Sequence, residues 1–124
     1  MNTGTIRLVS YRHDSPCKPD DNDIVIDISR TNRLLGNQFQ MRTKSAEERT
    51  RVISEHRQYL FNLANDHPVY TELKRIAEIM RNGGHICLSC WCAPLPCHGS
   101  NYIKLIQILN NKINIPKDHK EISY

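Results

Sequence analysis

The chain has 124 residues, of which 39% are hydrophobic and 24% charged, and its net charge at pH 7 is +4. This length suits one compact domain, here residues 1–124, that buries a core without disulfide staples. No apolar run of about 18 residues and no charged start followed by a short apolar segment occur, which excludes a membrane span and a secretory signal. We therefore expect a soluble, cytoplasmic protein with no membrane partner.

Two runs rich in β-branched residues, 5–9 and 23–28, are predicted strands, and the Pro- and Asp-rich segment 14–22 between them is a predicted turn region. The capping-box pattern Ser45-Ala46-Glu47-Glu48 and the helical spacing that follows predict a helix over residues 45–63. His56 lies on the apolar side of this helix. A second predicted helix begins at Pro68 and stops at the glycine pair 83–84.

The second half of the chain adds a predicted buried strand over residues 85–90 and a helix over 102–109. The asparagine pair 110–111 is expected to end that helix, an edge strand is expected at 113–115, and the polar tail 116–124 is expected to be peripheral. This alternation predicts an α/β fold: a small single-domain sandwich with a partly parallel sheet flanked by helices.

Four of the five cysteines, the only tryptophan and one histidine lie within residues 87–98, with the spacing C-x2-C-x-C-x4-C-H. This segment joins the end of a predicted strand to the start of a predicted helix, which is where α/β sheets commonly bind ligands. In a reducing compartment, clustered cysteines are more often metal ligands or reactive thiols than disulfides.

Zinc is chemically feasible at this cluster, because thiolates and imidazole are ligands that it prefers. The candidate ligands are Cys87, Cys90, Cys92, Cys97 and His98. We do not favour zinc, because residues three apart in a strand face opposite sides and because a second ligand pair at longer spacing is missing. The cofactor is left open, and so is the alternative that these cysteines only pack in the core.

Cys97 and His98 precede a predicted helix start, and the Gly99-Ser100 that follows leaves backbone N–H groups free to face an anion. The helix dipole and an adjacent imidazole both lower the pKa of a thiol and favour the thiolate. We therefore predict Cys97 as the most reactive thiol and nucleophile, and His98 as its acid/base partner. Trp91 is interpreted as a packing residue or a pocket wall.

A loop with two arginines follows the second predicted strand. Arg30 and Arg33 offer fork-shaped donors that suit phosphate or carboxylate, and Gly36-Asn37 is a turn signal. Taken alone, the segment is better explained as an ordinary solvated loop.

Four segments together resemble one known family. They are the opening run 6–13, Arg30 with the sequence Leu-Gly-Asn-Gln-Phe at 35–39, the helical run 55–60, and the cysteine motif 90–99. This layout, over about residues 5–109, resembles the Domain of Unknown Function 4326 family. That family usually has Gly-Arg and Leu-Gly-Asn-Pro-Phe, whereas Ser29 and Gln38 stand here. The resemblance implies a phage or bacterial protein in which loops 30–39 and 90–98 form a shared pocket, and it implies no activity.

Two functional hypotheses follow. In the first, the protein binds a small anionic ligand such as a nucleotide, with Cys/His-dependent chemistry, and Arg30 holds the anion while Asn37 orients it beside Cys90 and Cys92. In the second, it is a non-enzymatic interaction module, stabilised by zinc or by its core, that binds a host protein or nucleic acid through its basic surface. The small charge excess and the aromatic content of 6% predict weak or no nucleic-acid binding.

Overall fold

The computed structural model describes residues 4–92, Leu95 and residues 97–114, and it describes side chains as far as Asn111. Three strands and three helices follow one another: β1 (Ile6–Ser10), β2 (Ile24–Asp27), α1 (Ala46–Phe61), α2 (Pro68–Arg81), β3 (Ile86–Cys90) and α3 (Gly99–Asn114). The predicted α/β class is confirmed. The strands and the first two helices agree with the predicted bounds to within two residues.

The three strands form one parallel sheet in the order β1-β3-β2. Every residue of β3 is buried, as expected for a central parallel strand with a continuous apolar run, whereas Val25 on β2 is 46% exposed. Ile86 pairs in register with Ile6 on one side and Ile24 on the other. The carboxyl ends of all three strands therefore meet at one edge of the sheet.

Local capping explains where the first two helices begin. The Ser45 hydroxyl accepts a hydrogen bond from Glu48 N at 3.1 Å, as the capping-box pattern predicts. Pro68 occupies the first turn of α2, and the His67 ring accepts from Val69 N at 3.1 Å. The core lies between the helices and one sheet face, with Ile28, Leu73, Ile76, Leu88, Tyr102 and Ile106 among its buried members.

The predicted edge strand at 113–115 is wrong, because α3 continues to Asn114. Asn110 does not end the helix; it is a buried residue within it. Asparagine is only weakly unfavourable in a helix, and packing overrides that preference. Ile115 and the tail 116–124 lie outside the described residues. No helix in the described part of the chain is both long and apolar enough to cross a membrane.

A glycine allows the start of α3 to approach the sheet closely. A Cβ atom on Gly99 would lie 2.3 Å from Leu8 Cδ2 and 2.7 Å from Ile28 Cδ1. The helix begins three residues earlier than its apolar pattern predicts, since the N–H groups of Ser100 and Asn101 already bond the carbonyls of Cys97 and His98.

We expect Gly99→Ala to lower the free energy of unfolding by about 1 kcal/mol, the low end of the usual cost of overpacking, because both clashing atoms are ends of flexible side chains that can shift. Chemical denaturation monitored by circular dichroism would measure it. Asn111→Ala, at an exposed position of the same helix, is the control. A Gly99→Ala change within about 0.5 kcal/mol of wild type, the range of ordinary surface substitutions, would contradict this packing argument.

Candidate functional site

A pocket of about 230 Å³ opens at the carboxyl edge of the sheet. The turn after β2, the loop that follows it, the start of α1, the turn after β3 and the segment before α3 all contribute to its wall. All six residues that the sequence singled out for ligand binding or catalysis line it: Arg30, Asn37, Cys90, Cys92, Cys97 and His98. Their chemical roles are taken up below.

Cys87 is separated from the other cysteines of the motif. Its thiol donates to Asp23 Oδ2 at 3.2 Å, and Asp23 also pairs with Arg7 at 2.8 Å. Burial and this hydrogen bond raise the pKa of Cys87 to about 11. Strand alternation predicts this separation from Cys90, and it removes Cys87 from any shared ligand set.

Local hydrogen bonds hold the arginine loop in one conformation. The Asp27 carboxylate accepts from Ser29 N and Thr31 Oγ1 at 2.8 and 2.7 Å. Asn32 Oδ1 accepts from Leu34 N and Leu35 N at 2.9 and 3.0 Å. A Cβ on Gly36 would come within 2.6 Å of the Asn32 carbonyl and 2.7 Å of the Ser29 carbonyl, so the turn has no room for a side chain.

His98 fastens this loop to the start of α3. Its Nε2 lies 3.0 Å from the Ile28 carbonyl and 3.1 Å from the Leu35 carbonyl, and since carbonyls only accept, Nε2 carries the proton and donates. Burial lowers the pKa of His98 more than these two hydrogen bonds raise it. The ring is therefore neutral, and Nδ1 is the only nitrogen left for acid/base work.

A buried network of hydrogen bonds packs against His98. Asn101 Nδ2 donates to His56 Nδ1 at 3.1 Å, which leaves the proton of the neutral ring on Nε2, 3.3 Å from Tyr102 Oη. Tyr102 Oη in turn donates to the Leu35 carbonyl at 2.8 Å. Sequence reasoning missed Asn101 and Tyr102 as site residues; the available signal was a histidine among the apolar positions of α1.

Three cysteines of the motif, the cysteine trio, meet at the pocket wall. Cys90 Sγ and Cys97 Sγ are 3.4 Å apart, and the backbone N–H of Cys92 donates to Cys90 Sγ at 3.4 Å. Hydrogen bonds from Cys90, from Cys97 and from Arg49 lower the pKa of Cys92 despite its partial burial. Hydrogen bonds with Cys90 and Cys92, together with burial, raise the pKa of Cys97. These opposite directions favour Cys92, the most exposed of the three, as the thiol that ionises first.

The pKa of Cys97 is raised, against the lowering expected from the helix start and from His98, while its role as nucleophile stays a prediction. The adjacent His98 is neutral and supplies no positive charge. The N–H of Gly99 is not free to face an anion either, because it donates to Cys97 Sγ at 3.3 Å. Arg49 was not identified from the sequence, since nothing in its charged helical context separates it from a solvated residue.

The described donor groups do not converge as metal ligands do. Among residues 4–92, 95 and 97–114, no group of three or more His, Cys, Asp or Glu side chains is placed to hold a metal ion. Within the cysteine trio, the sulfurs of Cys90 and Cys97 lie in hydrogen-bond contact at 3.4 Å.

The rim of the pocket is cationic and aromatic. Arg30 is exposed, and within the described residues no carboxylate forms an ion pair with it. Trp91 is 58% exposed, and its ring lies 5.3 Å from that of Tyr11. Of the two roles considered for Trp91, the structure supports the pocket wall. Asn37 Oδ1 accepts from Phe39 N at 2.9 Å, which leaves its amide Nδ2 as the donor for a ligand.

We expect iodoacetamide at pH 7 to alkylate Cys92 about tenfold faster than Cys17, because an ordinary thiol is only a few per cent thiolate at that pH. Mass spectrometry of peptides from a time course would rank the thiols. Arg49→Gln should slow the reaction at Cys92, and Arg57→Gln, at an exposed position of the same helix, is the matched control. Alkylation of Cys97 at the rate of Cys92 would refute the assignment.

The buried histidines predict a loss of stability in mild acid. Burial, with a smaller contribution from His98, lowers the pKa of His56 to about 3, so the unfolded chain takes up this proton first as the pH falls. The stability that the neutral His56 contributes should therefore be complete above pH 6.5, the ordinary pKa of histidine, and should decline as the pH falls towards 3. One such group contributes at most about 1.4 kcal/mol per pH unit.

Denaturant unfolding between about pH 5 and 6.5, above the ordinary range of Asp and Glu, would measure this slope. His56→Gln keeps a donor and an acceptor but does not titrate, so it should flatten the pH dependence. His13→Gln, at an exposed position, is the matched control. An unchanged slope in His56→Gln would show that His56 does not cause it.

Comparison with known proteins identifies a family and nothing closer. No curated protein and no solved structure is significantly similar to this chain. The family described as "Domain of unknown function (DUF4326)" matches residues 9–110, which is most of the chain. The protein with this cysteine and arginine pocket therefore belongs to the DUF4326 family.

Proposed function

We propose that the pocket binds a small anionic ligand of the nucleotide type, with the Cys92 thiolate beside it. The observation that carries this proposal is the joint presence of Arg30, Arg49 and the exposed ring of Trp91 around one pocket at the carboxyl edge of a parallel sheet. Ligands of α/β proteins bind at this edge. Arginine suits phosphate, and an exposed indole offers a face for a planar ring.

The size of the pocket supports a small ligand. Its volume of about 230 Å³ lies just below the roughly 300–1,000 Å³ typical of sites for drug-sized molecules. A mononucleotide is of the appropriate size, with part of it resting on the open rim. Trp91 lines the pocket, and the exposed ring of Tyr11 lies 5.3 Å from it.

The charged groups around the pocket favour Arg30 as the residue that holds the anion. Arg49 already pairs with the Cys92 thiolate, and the first N–H groups of α3 are bound to Cys97 Sγ and to carbonyls. Arg30 faces no carboxylate in the described part of the chain and lies in a loop that is rigidly hydrogen-bonded. The planar guanidinium of arginine is also pre-organised, so it loses less conformational freedom for each hydrogen bond to phosphate.

The nucleophile in this proposal is Cys92. It lines the pocket, it is the most exposed of the three thiols, and it carries the negative charge that the trio shares. His98 contributes by holding the loop of Arg30 in place, and its Nδ1 is available to accept a proton. Cys97 and Cys90 act as hydrogen-bond donors to the thiolate.

Because Trp91 is the only tryptophan in the chain and lines the pocket, its fluorescence reports on binding directly. We expect nucleoside mono- and triphosphates to quench it in a saturable manner. Arg30→Gln should weaken binding by about 10- to 150-fold, the equivalent of a charge-assisted hydrogen bond of about 1.5–3 kcal/mol.

Arg33→Gln is the matched control, since Arg33 is exposed in the same loop and does not line the pocket. Equal losses of affinity in both variants would show that the effect comes from general surface charge and not from Arg30. Oligonucleotides that bind far more tightly than any mononucleotide, at near-physiological salt, would favour the interaction module instead.

A further inference from the structure

We propose that Cys90, Cys92 and Cys97 form a reversible dithiol–disulfide site, in which Cys92 is the attacking thiol and Cys97 the resolving thiol. This inference goes beyond the proposed ligand binding and does not depend on it. It concerns the reaction of the protein with a low-molecular-weight disulfide, the chemical class to which oxidised glutathione belongs.

Two of the three sulfurs are already in contact, and the third cysteine lies beside them. Cys90 Sγ and Cys97 Sγ are 3.4 Å apart, and Cys92 lines the same pocket wall. Each buried sulfur also accepts a backbone N–H, from Cys92 N to Cys90 Sγ at 3.4 Å and from Gly99 N to Cys97 Sγ at 3.3 Å. A disulfide between two of these residues needs only a small approach of sulfurs that the fold has brought together.

Exposure decides which thiol reacts first. Cys90 and Cys97 are 3% and 4% exposed, whereas Cys92 is half-buried and lines an open pocket. Of these three thiols, only Cys92 is accessible to a reagent of the size of glutathione. The guanidinium of Arg49, which hydrogen-bonds to Cys92, stabilises the thiolate that such a reaction requires.

Chain geometry decides which thiol resolves the mixed disulfide. Cys90 and Cys92 are separated by Trp91 alone, so a bond between them would close a very small ring and strain the disulfide dihedral angle. Cys92 and Cys97 have four residues between them in the sequence, enough for an unstrained ring. Cys97 is therefore the resolving thiol, and Cys90 remains a hydrogen-bond donor.

The reaction is a two-step thiol–disulfide exchange. The Cys92 thiolate attacks one sulfur of the disulfide RSSR, which forms a Cys92–SR mixed disulfide and releases RS⁻. This RS⁻ takes the proton of Cys97, and the new Cys97 thiolate attacks Cys92 Sγ and releases a second RS⁻. Overall, two cysteines are oxidised to one disulfide while RSSR is reduced to RSH and RS⁻.

Oxidised glutathione is the probe, added to the full chain without any nucleotide. After acid quenching and alkylation of the remaining thiols, chymotrypsin can cut after Trp91, which separates Cys90 from Cys92 and Cys97. We expect the peptide 92–102 to be two hydrogens lighter than its reduced form and unalkylated. Cys17 and Cys87 should be found alkylated, because they stay reduced during the reaction.

Three variants sharpen the test. Cys92→Ser should abolish disulfide formation, Cys97→Ser should accumulate the glutathione adduct on Cys92, and Cys17→Ser should behave as wild type. If Cys97→Ser does not fold, the wild-type peptide and Cys92→Ser still decide the question. A peptide that contains Cys90 and ends at Trp91, linked to 92–102, would overturn the pairing. A wild-type protein that stops at the glutathione adduct, or that reacts only at Cys17, would overturn the site. Nucleotide binding is measured separately by Trp91 fluorescence, so a failure of the disulfide site and a failure of ligand binding are distinguishable.

Discussion

The N–H of His98, shared between the carbonyls of Ile28 and Leu35, is the interaction on which the rest of the site depends. It joins the loop after β2 to the segment before α3, two parts of the chain that are far apart in sequence. Together with Tyr102, which donates to the same Leu35 carbonyl, it fixes the loop of Arg30 relative to the cysteine trio. Its strength comes from burial, where the alternative to a made hydrogen bond is an unsatisfied polar group that costs about 1–3 kcal/mol.

In the proposed function, this structural role of His98 accounts for a nucleophile other than the cysteine beside it. A buried imidazole that donates to two carbonyls is held neutral, so it cannot stabilise an adjacent thiolate by charge. The pKa of Cys92 is lowered instead, where Arg49 and partial solvent exposure support a thiolate. We therefore propose that the motif combines a structural half, Cys97 with His98, and a reactive half at Cys92.

Periodicity and capping predict most of the fold, because they depend on short-range interactions that the sequence displays directly. Strand alternation even assigns Cys87 to the face opposite Cys90. The loops that form the pocket were anticipated from the family resemblance and from the rule for parallel strands. The thiol assignment and Arg49 were not predictable, since the pKa of a cysteine depends on which side chains approach it in three dimensions. The continuation of α3 through its asparagines likewise depends on packing that no local pattern records.

The two proposals, if both hold, are thermodynamically linked. A thiolate at Cys92 occupies Arg49 and places a negative charge in the pocket that must receive an anion. Formation of the Cys92–Cys97 disulfide removes that charge and releases the guanidinium, so the oxidised protein should bind the anion more tightly. By reciprocity, a bound anion must then favour the disulfide by the same free energy. Because a thiolate and a bound anion would repel each other within one pocket, the proposals make each state sensitive to the other.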